Sequence, residues 1–173
     1  MRCAAYDVGV EDLQPDTAND ITASDRSTVR RQIGREPRAL AGIAARCVFG
    51  FPAVTRQSPH DSEGRPFPTA YYVTCPHLVR QIDRLESDGG VRRFERALAS
   101  DERLQQATEA AHASHRVLHG TSIAGSSDSS HVKCLHAHAA FALAGHEHPL
   151  GEAVVREAAP TWCATARCAL NAG

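Results

Sequence analysis

The chain has little of what marks several common protein classes. Aromatic residues make up only 5% of its 173 residues, and Lys133 is the one lysine among 19 basic residues. No stretch approaches the roughly 20 apolar residues that a membrane span needs. Residues 1–20 lack the basic-then-apolar layout of a signal peptide. The sequence therefore predicts a cytoplasmic protein without a membrane span.

The charge balance and composition narrow the class further. The net charge of −1 argues against a broadly basic surface, so we expect no nucleic-acid partner. Hydrophobic residues make up 42% of the chain, and alanine is the commonest of them. Alanine favours helices and fills little volume. The length fits one domain with a small, helix-biased core.

The chain divides into three segments by composition. Residues 1–25 are acidic and show no apolar period, which predicts a disordered N-terminal arm. Residues 26–159 are expected to form one α+β domain, and residues 160–173 a flexible C-terminal tail. The arginine-rich helix predicted at 26–35 is a candidate surface for a protein partner.

Short apolar runs and helical stripes define the fold class. Between about residues 42 and 75, three β-branched or aromatic runs are separated by Pro and Gly, which predicts a small antiparallel sheet. After Pro76 the apolar spacing becomes helical, with Leu78, Ile82 and Leu85 on one face. We therefore predict an α+β fold in which four or five helices pack on this sheet.

Three cysteines stand at the ends of predicted elements. Cys47 and Cys75 close predicted strands, and Cys134 lies in the first turn of a predicted helix. Three thiolates with one imidazole complete a tetrahedral zinc site, and three thiolates also suit an iron–sulfur cluster. The chain has no HExxH and no paired CxxC, so this metal prediction depends on long-range contacts. Candidates for the fourth ligand are His136, His138, Cys163 and Cys168.

Residues 131–148 hold five of the ten histidines. If this segment is one helix, His131, Cys134 and His138 project from one face, whereas His136 points away unless the helix begins later. The preceding predicted helix has three histidines at the same spacing as His131, Cys134 and His138. Two such helices facing each other would hold a metal between them; the alternative is that these histidines are exposed and have no role. The preceding triplet is His112, His115 and His119.

A thiol enzyme is the second reading of the same segment. Helix N-terminal amides and the adjacent Lys133 would both stabilise a Cys134 thiolate. Cys134 would then be the catalytic nucleophile, with His136 as the base and His131 or His138 as alternatives. The third reading is a non-catalytic adaptor, in which the cysteines only pack.

The motifs of the chain resemble those of the DUF501 family, uncharacterised cytoplasmic proteins found mainly in actinobacteria. The matching segments, in order, are RQIGREPR, RCVFGFPAV, GRPFPTAYYVTCPHL, RQIDRLESDGG, VKCLHAHAA and HPLGE. They span about residues 28–152 and put Cys47, Cys75, Cys134 and His136 in motif positions. The resemblance implies no particular reaction. The family's gene neighbours, a septum-formation initiator among them, link the adaptor reading to the cell envelope or division.

Overall fold

The structure is a computed structural model that describes residues 21–166. Within them, six α-helices and a three-stranded antiparallel sheet confirm the α+β class. The elements are α1 Ala23–Ile33, β1 Leu40–Arg46, β2 Pro52–Gln57, β3 Tyr71–Val73, α2 Pro76–Ser87, α3 Gly90–Ser100, α4 Glu102–His119, α5 Leu135–Leu143 and α6 Pro149–Glu157. Most of the predicted acidic arm and the end of the tail, with Cys168, lie outside the described residues.

Helix α1 is tied to the sheet through its own first turn. Thr22 is its N-cap and forms a capping box with Asp25, whose backbone N–H donates to the Thr22 hydroxyl. The Asp25 carboxylate also accepts two hydrogen bonds from Arg46 at the end of β1, at 2.7 and 3.1 Å. These contacts hold the pKa of Asp25 at about 2, the Arg46 hydrogen bond being the largest cause. The buried carboxylate therefore joins two elements.

Replacing Asp25 with asparagine should lower the free energy of unfolding by about 2 kcal/mol, because it removes the charge that Arg46 pairs with. Since the folded pKa lies below the unfolded one, this contribution is complete above about pH 4 and is lost as the pH falls toward 2. Urea unfolding at pH 7 measures it, with Glu147→Gln, an exposed residue, as the control. Equal midpoints for both variants would show that the Asp25–Arg46 contact is not stabilising.

The exposed side of α1 carries the arginines that predicted a partner surface. Arg26, Arg30 and Arg31 are all exposed. Arg30 approaches Glu36 at 3.7 Å, and Arg31 donates to Ser27 at 2.9 Å. The partner surface stays a prediction.

The sheet has β2 at its centre. Strand β2 is antiparallel to β1 on one side and to β3 on the other. Val54 of β2 pairs with Val73 of β3, and both belong to the main buried cluster. Because β1 and β3 run in the same direction, residues that follow them emerge at the same end of the sheet.

Helix α5 is the most deeply buried helix of the fold. Its residues from His138 to Leu143 are all buried, and it packs against β3, α2 and α6. The approach of α6 is close, because a Cβ added at Gly151 would lie 2.6 Å from the His148 ring and would also overlap the backbone oxygen of His138. No helix in residues 21–166 is long and apolar enough to cross a membrane. The N-terminus of α5 is where the candidate site lies.

The first residues of the predicted tail contact the domain. Trp162 packs against the main buried cluster, and the carbonyl oxygen of Pro160 lies 2.7 Å from His77 Nε2. Pro160 and Trp162 therefore both contact the domain.

Candidate metal centre

Three side chains meet at the start of α5. Glu86, Cys134 and His136 each offer one ligand atom, and these three atoms lie within 4.8 Å of one another. Cys134 Sγ is 3.9 Å from His136 Nδ1, and Glu86 Oε1 is 3.4 Å from the same nitrogen. All three residues are half-buried. One imidazole nitrogen thus faces both a sulfur and a carboxylate.

The backbone around Cys134 brings these side chains together. Lys133 has a left-handed φ of 55°, and Cys134 is extended at φ −144°, so the helix begins only at Leu135. Cys134 is therefore the N-cap, and its side chain reaches His136. The Leu135 N–H donates to Glu86 Oε1 at 2.7 Å, which fixes the carboxylate near His136. The sequence predicts that Cys134 and His136 point apart unless the helix begins late. The helix does begin late, at Leu135, and the two side chains are close together.

The other nitrogen of His136 is also held. Its Nε2 lies 3.3 Å from the Val79 carbonyl oxygen and 3.4 Å from Asp83 Oδ1, both on α2. Two acceptors at Nε2 favour the tautomer with the proton there. When the ring is neutral, Nδ1 therefore points its lone pair toward Cys134 and Glu86.

The pKa of His136 reflects this setting. Burial alone lowers the pKa of the imidazole, but the hydrogen bond and charge of Cys134, with the charge of Glu86, outweigh it and raise the pKa to about 9. Without a metal, His136 is therefore an imidazolium at neutral pH. In that state it can pair with a thiolate but has no lone pair to accept a proton.

A cavity of about 560 Å³ opens beside Cys134 and His136. Cys134, His136 and Asp83 contribute to its lining, and β3 supplies Tyr71 and Tyr72. This volume lies within the range of roughly 300–1,000 Å³ that small-molecule sites occupy. A ligand in this cavity would reach Cys134 and His136.

A comparison with protein families identifies the family of the chain. The family model described as "Protein of unknown function (DUF501)" matches residues 43–117 and 113–156. The chain belongs to the DUF501 family. All three residues of the candidate centre lie in the matched part of this DUF501 protein. Neither the curated proteins nor the solved structures contain a match to it.

The structure places the other two predicted thiolates elsewhere. Cys47 and Cys75 are buried in the main hydrophobic cluster and follow β1 and β3. Cys47 N–H donates to Phe51 and Cys75 N–H to Ala53, from opposite sides of β2. Within residues 21–166, the ligand group of this DUF501 protein contains one thiolate, Cys134, and neither of these two.

Of the predicted fourth ligands in the described range, His136 alone joins Cys134. His138 is buried on the other side of α5, where Nε2 lies 3.0 Å from the Val132 oxygen and Nδ1 2.7 Å from His148 Nε2. Cys163 donates to Thr165 in the tail. His131, the alternative base, is exposed and lies near Glu95 and Asp128.

The histidines of α4 are buried, contrary to the reading that most are exposed. His112, His115 and His119 are each less than a tenth exposed. The His112 ring meets His138 edge-on at a centroid distance of 5.7 Å. Burial lowers the pKa values of His112 and His115, as expected for an imidazole on an apolar stripe. Helices α4 and α5 pack the rings of His112 and His138 against each other, and the histidines of α4 do not form a compact group of three ligand atoms in the described chain.

Sequence reasoning missed Glu86 and Asp83. Both lie in the segment RQIDRLESDGG, three residues apart on α2. Alone, this spacing indicates an exposed polar face, since acidic residues are usually exposed on helices. One sequence signal could have identified Glu86. It lies in a segment that resembles the DUF501 family, as Cys134 and His136 do.

Proposed function

We propose that this DUF501 protein binds one zinc ion through Cys134 Sγ, His136 Nδ1 and Glu86 Oε1, and that the fourth coordination position faces the 560 Å³ cavity. The observation that carries the proposal is the grouping of three different ligand atoms within 4.8 Å of one another. Such a site has three protein ligands and one position for water or substrate, which is the pattern of catalytic zinc sites.

The spacing of the ligand atoms suits a metal between them. Zinc bond lengths of roughly 2.0–2.3 Å with tetrahedral angles give ligand–ligand separations of about 3.3–3.6 Å. The nitrogen–oxygen distance of 3.4 Å falls in this range, and the sulfur–nitrogen distance of 3.9 Å is slightly longer. Small side-chain rotations would close the difference.

The outer contacts support the same assignment. Metal-binding histidines usually donate their other N–H to a carboxylate or a backbone carbonyl, and His136 Nε2 has both acceptors on α2. One sulfur, one nitrogen and one oxygen form a donor set that zinc accepts, whereas iron–sulfur clusters are held mainly by several thiolates. With a single thiolate in the group, zinc is the better proposal.

An open zinc position would give the centre a hydrolytic chemistry. Bound zinc lowers the pKa of a coordinated water to about 7 and polarises a substrate oxygen. The chain's own contribution is to hold His136 in one tautomer through Val79 and Asp83, and to confine the substrate in the cavity. We therefore propose a metal-dependent hydrolase as the function class.

Metal analysis of the native protein tests the proposal. We expect colourless protein with one zinc per chain by elemental analysis. Replacing Cys134 by serine or His136 by asparagine should weaken zinc binding at least about 100-fold, because each removes a ligand. Cys163→Ser is the matched control, since Cys163 bonds only within the tail. Protein that takes up no zinc after dialysis against zinc salts, or equal affinities for Cys134→Ser and Cys163→Ser, would contradict the proposal.

A thiol enzyme is the second candidate, and the contact between Cys134 Sγ and His136 Nδ1 favours it. The raised pKa of His136 is what an imidazolium beside a thiolate requires. In zinc-free protein, iodoacetamide should then alkylate Cys134 about ten-fold faster than Cys163, and His136→Asn should remove the difference. If added zinc leaves this rate unchanged, the thiol candidate is favoured over the metal centre; protection by zinc favours the metal centre.

A further inference from the structure

One part of the cavity wall comes from the end of α1 and the residues that follow it. Gln32 and Ile33 are the last residues of α1, and Arg35 follows Gly34, which ends the helix with a φ of 68°. Arg35 is exposed and lines the cavity together with Cys134 and His136. The cavity is thus lined by the cationic Arg35 after α1 and by Cys134 and His136 at the start of α5.

Among the described residues, Arg35 differs from Arg38 and Arg65 in having no carboxylate partner. It also borders an adjoining cavity of about 530 Å³, which is lined by Arg38 and Arg65 as well. Arg38 pairs with Glu63, and Arg65 pairs with both Asp61 and Glu63. Among residues 21–166, Arg35 forms no ion pair. Within this part of the chain, its guanidinium is therefore available to an anion.

Two buried polar atoms in the cavity lining have no hydrogen-bond partner in the described chain. Thr74 is 2% exposed, and its hydroxyl is one of them. Gln32 donates from Nε2 to the Pro52 carbonyl at 2.7 Å, which leaves its Oε1 as the other. Buried polar atoms without partners cost stability unless a ligand or water satisfies them. They are a second sign, independent of Arg35, that this lining is built to meet a polar ligand.

The rest of the lining includes the carboxylate of Asp83 and is otherwise mostly apolar. Ile33, Val79 and Ala137 line the cavity beside Tyr72, which is more than a third exposed. Such walls bind a hydrocarbon or aromatic group by excluding water. They would accept the uncharged part of a small molecule.

We infer that the 560 Å³ cavity binds a small organic anion, with its phosphate or carboxylate group on Arg35 and its apolar part against Ile33 and Val79. That this anion is a substrate rests on the proposed zinc centre. Its binding through Arg35 does not. Bound in this way, the molecule extends from Arg35 toward Cys134 and His136.

Phenyl phosphate and inorganic phosphate are the probes, and their affinities are measured by calorimetry on zinc-loaded and on EDTA-treated protein. We expect phenyl phosphate to bind about ten-fold more tightly than phosphate, because the apolar walls hold the ring. Arg35→Gln should weaken phenyl phosphate binding at least about ten-fold in both preparations. Arg92→Gln, an exposed arginine of α3, is the matched control and should not change the affinity.

The outcomes separate this inference from the proposed function. Arg35-dependent binding that persists after EDTA treatment supports the inference even if the zinc proposal fails. Binding that requires zinc and is unaffected by Arg35→Gln overturns the inference and supports the zinc centre. Amide shifts on adding phenyl phosphate should fall on Val79 and Ala137. Shifts confined to Ala39 and Phe67, which line only the adjoining cavity, would also overturn it.

A second variant tests the cavity lining without removing charge. Thr74→Val keeps the side-chain shape and removes the hydroxyl that lacks a partner. We expect a raised melting temperature for the ligand-free protein and a several-fold loss of phenyl phosphate affinity. Unchanged affinity with a raised melting temperature would show that Thr74 does not contact the ligand and would overturn its place in the site.

Discussion

Replacing Gly151 by alanine should lower the free energy of unfolding by about 3 kcal/mol or more, which is a large part of the stability of a small domain. An added Cβ would lie 2.6 Å from the His148 ring and 3.0 Å from the Ala142 side chain, and it would overlap the His138 carbonyl. The carbonyl belongs to the backbone of the buried helix α5, so it cannot move aside as a flexible side chain would. The two helices must separate, and the core around them loses its packing.

Thermal and urea unfolding of the Gly151→Ala protein measure this effect. Gly64→Ala is the matched control: Gly64 has a φ of 75°, but nothing lies within 4 Å of an added Cβ. Its cost should be only the backbone strain, about 1 kcal/mol. If the two variants lose similar stability, the close approach of α5 and α6 is not what requires glycine at position 151.

Acid should destabilise the protein well above the pH at which its carboxylates protonate. Burial lowers the pKa of His148 to about 3 and that of His138 to about 4, and their mutual repulsion adds to the shift in His148. In the unfolded chain both histidines titrate near 6.5. Stability is therefore complete above about pH 6.5 and falls as the pH drops toward 4, because only the unfolded chain takes up these protons.

Each such histidine contributes a slope of up to about 1.4 kcal/mol per pH unit, so we expect a loss of roughly 3 kcal/mol or more between pH 7 and pH 4.5. Unfolding of EDTA-treated protein across this range measures it without the metal centre. His148→Gln should reduce the slope by about one proton, whereas His60→Gln, at an exposed histidine, should leave it unchanged. Identical slopes in all three proteins would exclude the buried pair as the cause.

Most of the fold could be predicted because its elements have local signals. Strands β2 and β3 are short runs with β-branched or aromatic residues, and α4 has Asp101 as its N-cap and Gly120 as its C-cap. The start of α5 could not be predicted in this way. It depends on the left-handed Lys133 and on the Glu86 carboxylate that accepts the Leu135 N–H. Glu86 is 49 positions away along the chain, so no local pattern contains this contact.

The candidate centre was only partly accessible from sequence for the same reason. Cys134 and His136 are close in the chain and lie in one motif, so they could be selected together. The thiolates of Cys47 and Cys75 were expected to meet Cys134, and the sheet does bring both to one end. The strand order then puts β2 between them, a separation that residue types alone do not reveal. Glu86 of α2, and not a second sulfur, joins the candidate group, because its carboxylate accepts the Leu135 N–H at the start of α5.

Helix α5 carries two imidazoles two residues apart that differ in pKa by about 5, from about 9 at His136 to about 4 at His138. Side chains at this spacing point to nearly opposite faces of a helix, so each ring belongs to a different environment. Across the whole range of cellular acidity, the metal-free helix therefore keeps one charged and one uncharged ring. A change of pH between these two pKa values would leave that pattern intact, and a bound ion or molecule would be needed to alter it.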